Sequence, residues 1–218
     1  MLSGDDMRFY YGADKIVTKP LFNEGNPSND YGLGFYLTEN RELARLWATK
    51  FRNGGYLIEY DVDIEKLKIL HLATIEDKDV LTWLSILISH RFSKEERNEN
   101  IESIEWLEKN YPFELGDNDA IIGYRADDSY FDYSRDFVRN ELSLELLKGA
   151  MRIGKLGTQF VLMSENSFNH IKYVKSEVVP PSDDYKNFRI KTKMEYLQLK
   201  KEDSIYNTFL RDIMRKKR

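Results

Sequence analysis

The sequence has no cysteine among its 218 residues. Disulfide bonds, thiol nucleophiles and thiolate metal sites are therefore excluded. Histidine is also scarce. His71, His90 and His170 lie too far apart in sequence to share one helix as a pair of metal ligands. Each is predicted to be structural or exposed, and no metal site is predicted.

Long hydrophobic runs are missing as well. No segment approaches the roughly 20 apolar residues that a membrane-spanning helix needs. The start of the chain, MLSGDDMRFYY, lacks the basic and then apolar segments of a secretory signal. The composition, with 41% hydrophobic and 32% charged residues, is typical of a globular domain. We therefore expect a cytoplasmic protein that has no membrane partner.

The net charge of −4 conceals two parts of opposite sign. Residues 186–218 carry eleven Lys and Arg against four Asp and Glu, a net +7, which leaves −11 for residues 1–185. Pro180-Pro181 separates the two parts, because consecutive prolines stop a helix or a strand. The sequence therefore predicts a domain at residues 1–179 and a basic C-terminal extension at residues 180–218.

The extension is predicted to be helical. Ile205, Phe209 and Ile213 recur at every fourth position, which is the spacing of an amphipathic helix. Two roles remain open for it. The helix could dock on the acidic surface of the domain, or its RKKR cluster could contact nucleic acid or a partner protein.

Strand and helix patterns are interspersed along the domain. Strands are predicted at MRFYYG, GFYLT, YLIEYDVD, LKILHL, DAIIGY, GTQFVLMS and NHIKYVKSEVV. Helices are predicted after Asn40 and up to Asn53-Gly54-Gly55, from Glu76 to Arg91, as a pair within residues 92–110, and at SLELLKGAMRIG. The elements do not alternate regularly, which favours an α+β fold over a doubly wound sheet.

The stretch DYGLGFYLTENRELARLWATKF places two glycines directly before a short aromatic strand. Gly32 and Gly34 would let a flat ligand approach the backbone, and Tyr36 would turn an aromatic face toward the same space. The alternative is that this Gly-x-Gly pattern is only a tight turn.

Two other stretches complete the pattern. FYYGAD places Gly12 beside Tyr11, and GTQFVLMS places Gln159 at the start of a strand. In their order FYYGAD, NDYGLGFYLTEN, ARLWATKF and GTQFVLMS, the motifs resemble those of the ADP-ribosyltransferase superfamily. The resemblance is closest to a bacterial family of uncharacterised domains allied to the poly(ADP-ribose) polymerase branch. It spans roughly Phe9 to Val174 and leaves the extension outside.

The resemblance implies an α+β fold in which split β-sheets with flanking helices surround a cleft for NAD, the co-substrate. In that cleft the backbone of Gly12 would hold the nicotinamide carboxamide, Gly34 would allow close approach, and Tyr36 would stack on the nicotinamide ring. Tyr11 takes the place of a histidine that binds a ribose hydroxyl on the adenosine side. A phenol can make that bond too, because it both donates and accepts.

Gln159 takes the position of the superfamily's catalytic glutamate. The bond between nicotinamide and ribose breaks through an oxocarbenium-like transition state, so positive charge must be stabilised where it develops. An amide can orient the ribose 2'-hydroxyl but supplies no net charge. The related bacterial family often carries glutamine here, so the exchange does not by itself mean inactivity.

A compensating group could lie in the stretch DAIIGYRADDSYF. Arg125 could bind a pyrophosphate or a substrate phosphate, and Asp127 or Asp128 could take the proton from an incoming nucleophile. The alternative is a turn in which the aspartates cap the next helix and Arg125 forms a surface ion pair. For Asp128 we favour this alternative.

The sequence therefore predicts an NAD-dependent mono-ADP-ribosyltransferase that modifies a protein or nucleic-acid acceptor and releases nicotinamide. Such enzymes are often toxins or defence factors with a neutralising partner protein, so that role and that partner are further expectations. Two alternatives remain. The same fold could hold NAD or ADP-ribose without turnover, as a sensor or partner-binding module, or the chain could bind nucleic acid through its basic extension with no NAD site.

Overall fold

The computed structural model describes residues 6–126, 128–151 and 157–217. The strands in these ranges are β1 (Asp6–Ala13), β2 (Phe35–Leu37), β3 (Gly55–Asp63), β4 (Ile69–His71), β5 (Ala120–Tyr124), β6 (Thr158–Leu162) and β7 (Ile171–Val179). The helices are α1 (Arg41–Ala48), α2 (Asp77–Arg91), α3 (Lys94–Glu99), α4 (Ile101–Asn110), α5 (Asp128–Val138), α6 (Leu144–Ala150), α7 (Glu165–Asn169), α8 (Asp184–Lys200) and α9 (Leu210–Lys216). No helix within them is both long and apolar enough to cross a lipid bilayer.

The strands form two separate sheets. In the first sheet β3 lies between β1 and β7, and both pairings are antiparallel. The second sheet has the order β2-β6-β5-β4, in which only β4 and β5 are parallel. Helices are mixed with these strands along the chain, which confirms the predicted α+β class.

Two hydrophobic cores hold the layers together. One core lies between the sheets, where Phe9 of β1 stacks on Phe160 of β6 with ring centroids 4.6 Å apart. The larger core lies between the second sheet and the helices and contains the fully buried Trp83 and Leu84 of α2. Trp47 is also buried in the larger core, and Trp106 packs against it.

Strand β3 is buried on both faces, although its alternating sequence predicts a half-buried strand. Ile58 and its neighbours on one face fill the core between the sheets. On the other face Glu59 and Asp61 are only 4% and 9% exposed, because Arg8 of β1 pairs with both carboxylates, at 2.9 and 2.6 Å. Ion pairing therefore buries polar residues that the hydrophobic pattern assigns to solvent.

Helix α1 begins as the sequence predicts, since the Asn40 side chain accepts a hydrogen bond of 3.0 Å from the Leu43 amide. Its end was predicted wrongly. The helix stops at Ala48 and not at the glycine pair, because the Thr49 amide donates to the Leu46 carbonyl, three residues back, at 3.2 Å and so tightens the last turn. The chain then turns through Gly54 at φ 78°.

The extension contains two helices, α8 and α9. The prediction of one helix through Ile205, Phe209 and Ile213 is only partly correct. Ile205 lies in a turn and is 83% exposed, whereas Phe209 caps α9 and is buried. The sequence did not predict α8. This helix buries Thr192 and Tyr196, at 1% and 3% exposure.

The extension docks on an acidic part of the domain. The Tyr196 ring lies 3.9 Å from the Tyr133 ring of α5, measured between centroids. The Tyr196 hydroxyl donates to Asp136, and the Lys200 ammonium lies 2.7 Å from the same carboxylate. Leu210 of α9 is fully buried in the larger core. The extension therefore contributes to the hydrophobic core as well as to the surface.

We expect Leu210→Ala to lower the free energy of unfolding by about 2–5 kcal/mol, the usual cost of removing a buried leucine side chain. Ile205→Ala is the matched control in the same extension and should change it by less than about 0.5 kcal/mol, because the side chain is exposed. Urea denaturation measures both. Equal stabilities would contradict the docking of α9.

Candidate functional site

A cleft opens where the two sheets separate. The edges of β1 and β2 meet at one bridge, in which Tyr10 and Thr38 exchange backbone hydrogen bonds of 2.8 and 3.0 Å. Beyond this bridge lies a cavity of about 750 Å³, a size within the range of about 300–1,000 Å³ found for small-molecule sites. The loop of residues 14–34 forms one of its walls.

Gly12 presents its backbone to this cleft. Alternate residues of a strand direct their N–H and C=O groups to the same side. Tyr10 directs these groups to Thr38, so Gly12, two residues on, directs its own toward the cleft. These two groups form a donor and acceptor pair that can bind an amide.

The missing side chain of Gly12 serves a different purpose from the one the sequence suggests. A β-carbon at Gly12 would lie 2.1 Å from the Ala44 carbonyl oxygen and 3.0 Å from the Ala48 amide of α1. The glycine is therefore required for helix α1 to pack on β1, and any ligand contact would come from the backbone edge.

Tyr36 is fixed at the floor of the cleft. Its hydroxyl donates to the Gly32 carbonyl at 2.7 Å and accepts from the Tyr31 amide at 3.0 Å. Burial raises the pKa of Tyr36, so the phenol stays neutral. Both bonds tie the ring to the preceding loop, which makes it a rigid aromatic surface.

The two glycines before Tyr36 are required by the turn and its packing. Gly32 has φ 76°, and a β-carbon there would lie 2.6 Å from the half-buried His90 ring. A β-carbon at Gly34 would lie 2.6 Å from the Val161 side chain of β6. Gly32 therefore fits the turn interpretation, whereas Gly34 is required by packing on β6 and also lines the cleft.

Gln159 is 2% exposed at the start of β6 and lines the cleft. Its amide nitrogen donates to the Asp30 carboxylate at 3.1 Å and to the Tyr124 carbonyl at 3.4 Å. Because both partners can only accept, the nitrogen must face them and the amide oxygen must point the other way. The side chain is therefore held in one orientation, with its oxygen as the acceptor.

Asp30 connects the segments around Gln159. One carboxylate oxygen accepts from Arg91 at 2.7 Å, and the other accepts from the Ala126 amide at 2.8 Å as well as from Gln159. Arg91 also donates to the Ala126 carbonyl at 2.7 Å. The carboxylate is 7% exposed and thus joins the loop, the end of α2 and the segment after β5.

Arg125 lies against an aromatic wall of the cleft. Its guanidinium carbon is 3.3 Å from the centre of the Trp47 ring, a cation–π arrangement. Tyr11 also lines the cleft, with its ring 4.9 Å from that of Phe35, and burial raises its pKa so that it remains a neutral phenol. Asp127 lies outside the described residues, and Asp128 begins α5.

The cleft carries positive charge within an acidic domain. Of the described residues that line it, five are basic and three acidic, a net +2: Lys15, Lys19, Lys50, Arg91 and Arg125 against Asp14, Glu24 and Asp30. The first 185 residues as a whole carry −11. A local excess of positive charge favours an anionic ligand.

The structure brings together the predicted site residues that it describes, for each of them lines this cleft: Tyr11, Gly12, Gly34, Tyr36, Arg125 and Gln159. The sequence interpretation missed three others. Asp30 directly precedes the stretch with Gly32 and Gly34, and this position in the sequence could have identified it as a site residue. Arg91 ends a helix, and Tyr185 enters from α8, so neither carries a local signal.

We expect Gly12→Ala to lower the free energy of unfolding by about 1–3 kcal/mol, because overpacking forces α1 away from β1. The control is Gly149→Ala in α6, where a β-carbon would make an ordinary contact at 3.7 Å. That change should be neutral or stabilise by up to about 1 kcal/mol. Thermal and urea unfolding measure both variants, and a fully stable Gly12→Ala protein would refute the packing role.

Comparison with known proteins gives one match. Residues 7–173 match a family described as "Protein of unknown function (DUF3990)". The comparisons with curated proteins and with solved structures gave no match. Because the family match covers more than half of the 218 residues, the chain belongs to this family of proteins of unknown function.

Proposed function

We propose that the chain binds NAD in this cleft and transfers its ADP-ribose to a macromolecular acceptor, with release of nicotinamide. One observation carries the proposal. Residues that the motifs single out, from Tyr11 to Gln159, are distant in sequence and yet line one cleft between two separated sheets. Such a split-sheet cleft is what the resemblance to ADP-ribosyltransferases implies.

The polar groups of the cleft fit NAD. The backbone edge of Gly12 can accept from and donate to the nicotinamide carboxamide, and the fixed ring of Tyr36 can stack on nicotinamide. Arg125, held on Trp47, can bind an oxygen of the pyrophosphate. The net +2 of the described lining residues suits this anionic substrate.

The reaction breaks the bond between the nicotinamide nitrogen and C1' of the ribose. The electron pair leaves with nicotinamide, positive charge develops on the ribose, and the acceptor nucleophile bonds C1' and loses its proton. In this step the amide oxygen of Gln159 accepts from the ribose 2'-hydroxyl and directs its negative end toward the developing charge. Asp127, as acceptor of the nucleophile's proton, stays a prediction because it lies outside the described residues.

We also propose an acceptor, a location and a partner for the reaction. The acceptor is a protein or a nucleic acid, the location is the cytoplasm, and a toxin or defence role would require a neutralising partner protein. A second candidate is a module that holds NAD or ADP-ribose without turnover. It is favoured by one observation, that Gln159 brings no net charge to the position where a carboxylate would act.

Replacement of Tyr36 tests NAD binding. Tyr36→Ala should weaken the binding of NAD by about 1–3 kcal/mol, the range for losing a stacking partner of a planar base. Tyr36→Phe keeps the ring and removes only the two hydrogen bonds of the hydroxyl. It should therefore weaken NAD binding less than Tyr36→Ala does. Tyr206→Ala, at a side chain that is 92% exposed, is the control. Equal affinities for NAD in wild type and Tyr36→Ala, measured by calorimetry, would contradict the binding of NAD in this cleft.

Replacement of Gln159 tests turnover. Gln159→Ala should lower nicotinamide release by about 10²–10³-fold, the range for losing one group that stabilises a transition state. NAD affinity should change much less, because the interaction strengthens in the transition state. Gln198→Ala on the exposed face of α8 is the control. Release should be measured with and without cell lysate as the source of acceptor.

The outcomes separate the two candidates. A wild-type protein that binds NAD but releases no nicotinamide under any condition is a binding module. Release that is equal in wild type and Gln159→Ala would reject the role of Gln159 in the reaction.

A further inference from the structure

We propose that Asp30 is the positioning residue of this site, and that its carboxylate supplies, through Gln159, the negative charge that glutamine itself lacks. The inference rests on the proposed function, because it assigns to Asp30 a part in the same reaction. It concerns a side chain that acts on the reaction through Gln159.

Asp30 receives three hydrogen bonds from three separate segments: Arg91 at the end of α2, the Ala126 backbone after β5, and Gln159 on β6. A backbone amide and a guanidinium thus hold the carboxylate at both oxygens. Since the carboxylate cannot rotate without losing one of them, the amide of Gln159 is held as well.

Arg91 bonds Oδ1 of Asp30, whereas the bond from Gln159 goes to Oδ2, at 3.1 Å. The oxygen that accepts from Gln159 is therefore not the one that accepts from Arg91. A hydrogen bond from the amide nitrogen to a carboxylate polarises the amide and makes its oxygen a stronger acceptor. The negative charge thus lies next to Gln159 in the wall of the cleft.

The pair also predicts how an exchange of residues behaves. Gln159→Glu would place a second carboxylate beside Asp30, and the two like charges would repel each other. The single change should therefore be less effective than an exchange that keeps one negative charge. Asp30→Asn together with Gln159→Glu exchanges the carboxylate and the amide, and leaves one negative charge in the pair.

The first measurement does not depend on turnover. In ¹⁵N spectra of the full chain, the Gln159 side-chain amide is identified by its absence from Gln159→Glu. Asp30→Asn should speed the hydrogen exchange of this amide at least about tenfold, because a neutral partner that also carries donors binds it less firmly. Glu59→Gln is the matched control, since Glu59 is a buried carboxylate paired with Arg8 and does not line the cleft.

The second measurement uses nicotinamide release. Asp30→Asn should lower kcat by about 10–100-fold, as loss of an outer group that orients a ligand does at metal sites, while KM for NAD changes by less than about threefold. Glu59→Gln should change neither value. The double exchange should recover part of the lost kcat, which a purely structural role of Asp30 would not allow.

Each of these results supports or overturns the role of Asp30. Unchanged amide exchange in Asp30→Asn overturns it, and so does unchanged kcat in a wild type that turns over. If the wild-type protein releases no nicotinamide, the proposed function is rejected. The amide exchange then tests only whether Asp30 holds the Gln159 side chain in place. If Asp30→Asn does not fold, Asp30→Glu keeps the charge but moves it by one methylene. A folded Asp30→Glu protein with wild-type kcat and amide exchange overturns the inference.

Discussion

The buried carboxylate of Asp30 is the constraint on which the rest of the site depends. It accepts hydrogen bonds from a helix end, a strand end and the segment after another strand. A charge buried to this degree is costly unless it is paired and hydrogen-bonded. Its three partners satisfy it, and in doing so they fix the long loop of residues 14–34 against the second sheet. The cleft wall and Gln159 thus take their positions from one group.

Close packing between elements explains why glycine recurs around the cleft. The loop and α1 approach the strands so closely that a β-carbon at Gly12, Gly34 or Gly123 would come within 2.1, 2.6 or 1.9 Å of a neighbouring atom. At Gly123 that atom is the Tyr31 hydroxyl, which donates to the Tyr124 carbonyl at 2.9 Å. Close packing on the protein side leaves backbone edges for a ligand on the other side.

Much of the fold follows from local sequence, because the strands are short apolar segments, α2 is a long apolar segment and Asn40 is a strong helix cap. Helix α8 could not be predicted in this way. Its apolar Ile190 and Met194 lie on the exposed face, at 52% and 67% exposure, while Thr192 and Tyr196 are buried. The motif order led to the cleft residues, but Asp30 and Arg91 meet across 61 positions, a contact that no local pattern encodes.

Tyr185 gives the cleft a boundary that the family match does not cover. It belongs to α8, beyond residue 173 where the match ends, and yet it lines the same cavity as Tyr36 and Gln159. Lys50 lies 5.9 Å from its ring and 5.1 Å from that of Phe51. Changes in the extension can therefore alter the shape of the cleft while the groups around Gln159 stay the same.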